Sequence, residues 1–153
     1  MRLARSTFAY EETQAFLDEA TENPLIKSYL VQYLLVSLYS EIEEHVKKII
    51  QDRINLINDN KVASFVFKSN EGMLKRVKKA EINDVLQKFD CGTGDVISEI
   101  LGDMNLQPYF DMITNRHLVS HNDGGTMTLD YFGQALPCAE AVLDALEAAL
   151  AAD

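Results

Sequence analysis

Cysteine is scarce in this chain: Cys91 and Cys138 are two in 153 residues, far apart and in no CxxC spacing. That is too little for a disulfide framework or a structural zinc site, and it suits a reducing cytosol. Long apolar runs are missing too. The longest uncharged run, Ser28 to Ser40, has thirteen residues, too few to span a bilayer, and Met1 to Glu12 holds no apolar stretch of a signal peptide. A soluble, cytoplasmic protein with no membrane association is expected. Basic residues are also in deficit. With 14 Lys and Arg against 24 Asp and Glu, the formal charge is −10, which argues against bulk nonspecific binding to nucleic acid, since phosphate contacts need cations.

Several catalytic signatures are lacking as well. "GTG" at 92 to 94 is followed by Ile97 where a dinucleotide fingerprint needs glycine, and no GxxxxGK[ST] occurs. No serine lies in a GxSxG elbow. No cofactor is expected.

What remains is a chain of one domain's length, residues 1–153, able to bury a core, and it reads as helix. A first helix is predicted over Thr7 to Ala20, ended by "ENPL", where Pro24 forces Asn23 out of helical geometry. Leu25 to about Asn58 is a long second helix, with Val31, Leu35, Leu38, Ile42, Val46, Ile49, Ile54 and Ile57 at steps of mostly three and four. Its first half, "YLVQYLLVSLY", is apolar almost all round, as in a central bundle helix. Phe65, Val66 and Phe67 point to a short buried helix or turn. Further helices are expected over Ala80 to Phe89, after the cap Asp95 through Leu101, over Asn105 to His121, and from the cap Thr128 over Leu129 to Ala151. Pro137 should kink the last of these, with Gly133 easing the bend. No strand, repeat or linker stands out, so the predicted architecture is an all-α bundle of antiparallel helices.

Titratable nitrogen chemistry concentrates in "NRHLVSHNDGG", residues 115 to 125. His117 and His121 stand four apart, a spacing that can bind zinc. However, Leu118 takes the place of the HExxH glutamate, and Asp123 or His45 are the sole further ligand candidates, so no metal is expected. Arg116 and His121 form a different pair. A permanent planar cation suits phosphate oxygens, and an imidazole moves protons near neutral pH. Together they suit metal-free transesterification of RNA, His121 handling the 2′-hydroxyl or 5′-oxygen proton and Arg116 stabilising the phosphorane. Five positions of helix turn the side chain by about 140°, so the two either flank a groove or work with a partner from another subunit, which favours a composite site over an isolated one. The same residues at a helix C-terminus would also serve its dipole and free carbonyls, and on single-sequence physics alone that reading comes first, since an RxxxxH string is short and common. Ser120 and Asn122, flanking His121, are candidate substrate contacts.

Two other groups stand out. Between Lys61 and Lys79 six basic residues (Lys61, Lys68, Lys75, Arg76, Lys78, Lys79) meet one acid, Glu71. The segment reads either as a solvated face or as an RNA-backbone contact through Lys75, Arg76, Lys78 and Lys79. His45 falls on the apolar face of the second helix, as a core histidine or as a cleft-lining group with Glu41 or Glu44 one turn before it.

The whole arrangement resembles the HEPN superfamily: a long amphipathic second helix, RxxxxH near the end of the penultimate helix, a glycine turn and a capped last helix. In "RHLVSH" Arg116 and His121 match the motif's ends and His117 its polar second position, and "RHLVSHNDG" with "TMTLDYF" looks most like the RiboL-PSP type. The resemblance covers roughly residues 7 to 150. It implies a metal-independent endoribonuclease working as a homodimer whose two motifs meet in one cleft, with Arg116 and His121 catalytic. It further implies a toxin or anti-phage role with an antitoxin or defence-system partner. Position 123 is Asp, where toxins paired with a small nucleotidyltransferase antitoxin often carry tyrosine, so that antitoxin class is not implied. A catalytically silent HEPN module that assembles with another protein, or a bare helical scaffold, are the alternatives. The intact Arg116/His121 pair favours the enzyme; the negative charge favours the silent module.

Overall fold

The computed structural model describes residues 2–19, 23–72, 77–120 and 126–151, with the backbone alone at Ser120. Among these residues there are seven helices and no strand: α1 (Ala4–Glu19), α2 (Pro24–Ile54), α3 (Asn60–Asn70), α4 (Lys79–Lys88), α5 (Val96–Leu101), α6 (Gln107–Ser120) and α7 (Leu129–Ala151). They divide between two compact units, residues 1–41 with 105–140 and residues 42–104 with 141–153. Both α2 and α7 contribute to each.

Local chemistry sets the helix ends. The Asn23 side chain accepts from the backbone N–H groups of Leu25 and Ile26, at 3.1 and 3.3 Å. Pro24 takes the first helical position, where its missing N–H costs nothing. Asn105 does the same for α6 and Thr128 for α7. At its far end α2 stops at Ile54 rather than Asn58, because the chain tightens into i→i+3 bonds, Leu56 to Arg53 and Ile57 to Ile54.

In the first unit, α1 begins with no side-chain cap of its own. Two glutamates from distant helices supply it. Glu140 of α7 accepts from the N–H groups of Arg2 and Leu3, and Glu41 of α2 accepts from those of Arg5 and Ser6 at 3.1 and 2.8 Å. Glu41 is 3% exposed. Its burial would raise its pKa, but the donors of Ser6 and Arg5 outweigh that and hold it below the ordinary carboxylate value. Tyr10 of α1 packs on Phe132, ring centroids 5.8 Å apart. Its hydroxyl comes so close to Gly133 that a Cβ there would collide with it. Gly133 thus admits α1 to α7, a requirement separate from the relief of Pro137, which α7 carries within its length.

Two expectations about burial need correction. Val31, Leu34, Leu35 and Leu38 of α2 are buried, but Leu25, Ile26, Tyr29, Tyr33 and Val36 are exposed, Tyr33 by 65%. The first half of α2 is therefore covered on one side, and an apolar ridge runs along the other. In the second unit α3 is a full eleven-residue helix, capped by Asp59. Its aromatic run is not buried: Phe65 is 72% exposed and Ala63 is the buried residue of that helix. Phe67 carries the Lys47 ammonium over its ring at 5.6 Å, so its apolar face is spent on a cation.

The α4–α5 junction of the second unit is a polar knot. Asp95 caps α5 through the Ser98 N–H, accepts from Asn83 at 2.8 Å and pairs with the Lys79 ammonium, which also reaches the Ser98 hydroxyl. Burial opposes the charge on Asp95, but these donors, Lys79 first, hold its carboxyl well below the usual range.

Candidate active site

The last turns of α6 carry Arg116 and His117. Asn115, immediately before them, is buried and bonded through both its amide nitrogen and its oxygen. Its amide donates to the Asp111 carbonyl at 2.9 Å, and its oxygen accepts from the N–H groups of Thr126 and Met127 at 2.7 and 3.0 Å. Asp111 in turn receives Gln107 on one oxygen and the Tyr131 hydroxyl on the other, each at 2.8 Å. That acceptance raises the Tyr131 pKa. The end of α6 is thus bound to the start of α7 by polar contacts that fix where residue 116 stands.

Arg116 is half-buried, and its guanidinium carbon lies 4.2 Å from the centre of the Tyr39 ring on α2. A guanidinium so placed is attracted by the ring's negative face and keeps its in-plane N–H donors for another acceptor. His117 is exposed on the last turn of the helix. His121 and Asn122 lie outside the described residues, as does the side chain of Ser120.

The other predicted residues are placed as follows. Lys75 and Arg76 lie outside the described residues. Lys78 is exposed at the start of α4, whereas Lys79 is bound into the Asp95 pair and serves the junction. His45 is half-buried on α2 in the second unit, and Glu44 is exposed. Glu41 turns to the start of α1, so its carboxylate is committed to holding a helix. Among the described residues no three His, Cys, Asp or Glu side chains gather as a metal site would need. No helix there is long and apolar enough to cross a membrane.

Sequence reasoning missed Tyr39 and Asn115. Tyr39 was absorbed into an apolar run, and the signal that could have singled it out is an aromatic beside Ser40 and Glu41, where that run turns polar. Asn115 had a signal too, an amide side chain directly preceding the motif.

The helical architecture of the described residues agrees with what family comparison finds. The RiboL-PSP-HEPN family model matches residues 5–152, and the chain belongs to that family and so to the HEPN superfamily. No curated protein matches the chain, nor does any solved structure.

Proposed function

We propose that the protein is a metal-independent endoribonuclease that acts as a homodimer. The observation that carries this reading is Arg116, held half-buried over Tyr39 five positions before His121. The 2′-oxygen of the RNA attacks phosphorus, the bond to the 5′-oxygen breaks, and the products are a 2′,3′-cyclic phosphate and a free 5′-hydroxyl. Arg116 stabilises the charge gathered on the phosphorane oxygens. One His121 takes the 2′-hydroxyl proton, and His121 of the partner subunit returns one to the leaving oxygen. The exposed ridge of Ile26, Tyr29, Tyr33 and Val36 supports the dimer. It occupies one side of α2 and ends a turn short of Tyr39, so a second copy seated on it would adjoin the Arg116 site.

The deciding experiment is incubation of purified protein with single-stranded and structured RNA in EDTA, with end-group analysis of the fragments. Cyclic-phosphate ends support the reading; intact RNA, or cleavage that requires divalent metal, refutes it. A toxin–antitoxin or anti-phage defence role, with an antitoxin or defence protein as partner, is the biological setting this activity fits. The second reading is a silent HEPN module that binds a protein partner. The net charge of −10 favours it, as does the engagement of Lys79 within the fold, which removes one cation from the RNA-binding supply.

A further inference from the structure

The geometry points to Tyr39 as a positioning residue for Arg116, one that presents the edge of the guanidinium to a phosphate. The inference rests on the ribonuclease reading above. An arginine side chain in water spreads over many rotamers, and fixing it costs side-chain entropy. Over Tyr39, at 4.2 Å, that cost is met during folding rather than when substrate arrives.

The choice of partner matters more. This chain has 24 acidic residues, yet among the described residues Arg116 rests on a ring and not against a carboxylate. The acids closest to the pair along their own helices are engaged elsewhere. Glu41, two positions after Tyr39, receives Arg5 and Ser6. Asp111, five positions before Arg116, receives Gln107 and Tyr131. A carboxylate at Arg116 would neutralise it, occupy its donors and repel a phosphate. A ring attracts the cation through its face, leaves the charge in place and does not compete for the in-plane N–H groups. Stacking therefore orients Arg116 while keeping it available to an anion, which a salt bridge would not do.

The test uses the full-length protein and four forms: wild type, Tyr39→Phe, Tyr39→Leu and Tyr39→Met. The methionine variant fills the volume without a ring, and it decides the matter if the leucine variant does not fold. Two measurements are made on each. The first is kcat and KM on single-stranded RNA. The second is the shift of the Arg116 Nε–H resonance as inorganic phosphate is added without RNA. Loss of the ring should lower kcat by about tenfold, between the scales of an exposed and a desolvated cation–π contact, and raise KM in step with the weaker phosphate contact. Phosphate should reach Arg116 severalfold more weakly, and Tyr39→Phe should rescue both readouts. A folded leucine or methionine variant with wild-type kcat and wild-type phosphate response overturns the assignment, as does a phenylalanine variant as impaired as leucine. If wild type cuts no RNA, the ribonuclease reading falls alone, and the phosphate titration still decides whether Tyr39 orients Arg116.

Discussion

The side-chain oxygen of Asn115 lies 2.7 Å from the backbone nitrogen of Thr126, eleven positions further along the chain. With the second bond to Met127 and the amide's own bond back to Asp111, one side chain ties the end of α6 to the entry of α7. The residue next to it is Arg116, so the arginine's backbone is anchored from one side while Tyr39 holds its guanidinium from another.

Asn115→Ala should therefore be costly well beyond its size. It leaves the buried Met127 N–H and the part-buried Thr126 N–H without their acceptor, worth about 2–3 kcal/mol, or a fall in Tm of roughly 5–10 °C for a chain of this length. Asn115→Asp keeps the acceptor for Thr126 and Met127 but turns an oxygen toward the Asp111 carbonyl, so it too should melt early. Calorimetry checks both, and a Tm within a degree of wild type for the alanine variant contradicts the tie.

For the chemistry, Arg116→Ala and His121→Ala should each lower RNA cleavage in EDTA by at least about a hundredfold, the usual contribution of a general acid–base group. Unchanged rates in both variants would remove the mechanism.

Assembly is expected to depend on the ridge of α2. Light scattering at micromolar concentration should report about twice 17.2 kDa. Placing charge on the ridge with Tyr29→Glu and Tyr33→Glu should return the mass to that of one chain and abolish cleavage together with it. A monomeric wild type that still cuts RNA would count against a site built from two copies.

Lowering the pH should loosen α1. Because Glu41 has a depressed pKa in the folded chain, its stabilising effect is complete above the unfolded carboxylate value, about 4.3. It fades as pH falls through the lower folded one. Acid unfolding followed by circular dichroism should show this limb, and Glu41→Gln should flatten it while lowering stability at pH 7.

A charge-reversal test of the basic segment has to spare Lys79, since its replacement would break the Asp95 knot and confuse folding with binding. Lys75→Glu, Arg76→Glu and Lys78→Glu together should raise the RNA KM and flatten its salt dependence by about 0.7 log units for each phosphate no longer neutralised. Equal affinity and an equal salt slope would leave these residues as a solvated face.

Much of the fold was legible because its cues are local. Asn23 before Pro24, Asp95 before "VISEIL" and Thr128 before "LDYF" each satisfy backbone donors within three residues, and such chemistry reads directly from sequence. Burial was less legible. Hydrophobicity says that Tyr33 and Phe65 are apolar, not that a neighbour covers them, and both stand exposed. At the candidate site, spacing singled out Arg116, but Tyr39, on which it rests, lies far back in the chain, on α2, where no periodic pattern links the two. Glu41 was misplaced for the same reason: its donors, Arg5 and Ser6, lie on another helix.

The attachment of α1 also dictates an order of events during synthesis. Arg2 and Leu3 are received by Glu140, 138 and 137 positions away. Both residues leave the ribosome long before their acceptor is made. At translation rates of about 5–20 residues per second that wait is on the order of ten seconds. Through it Glu41, 36 and 35 positions on, is at hand for Arg5 and Ser6, while the N–H groups of Arg2 and Leu3 are left to water until α7 is made.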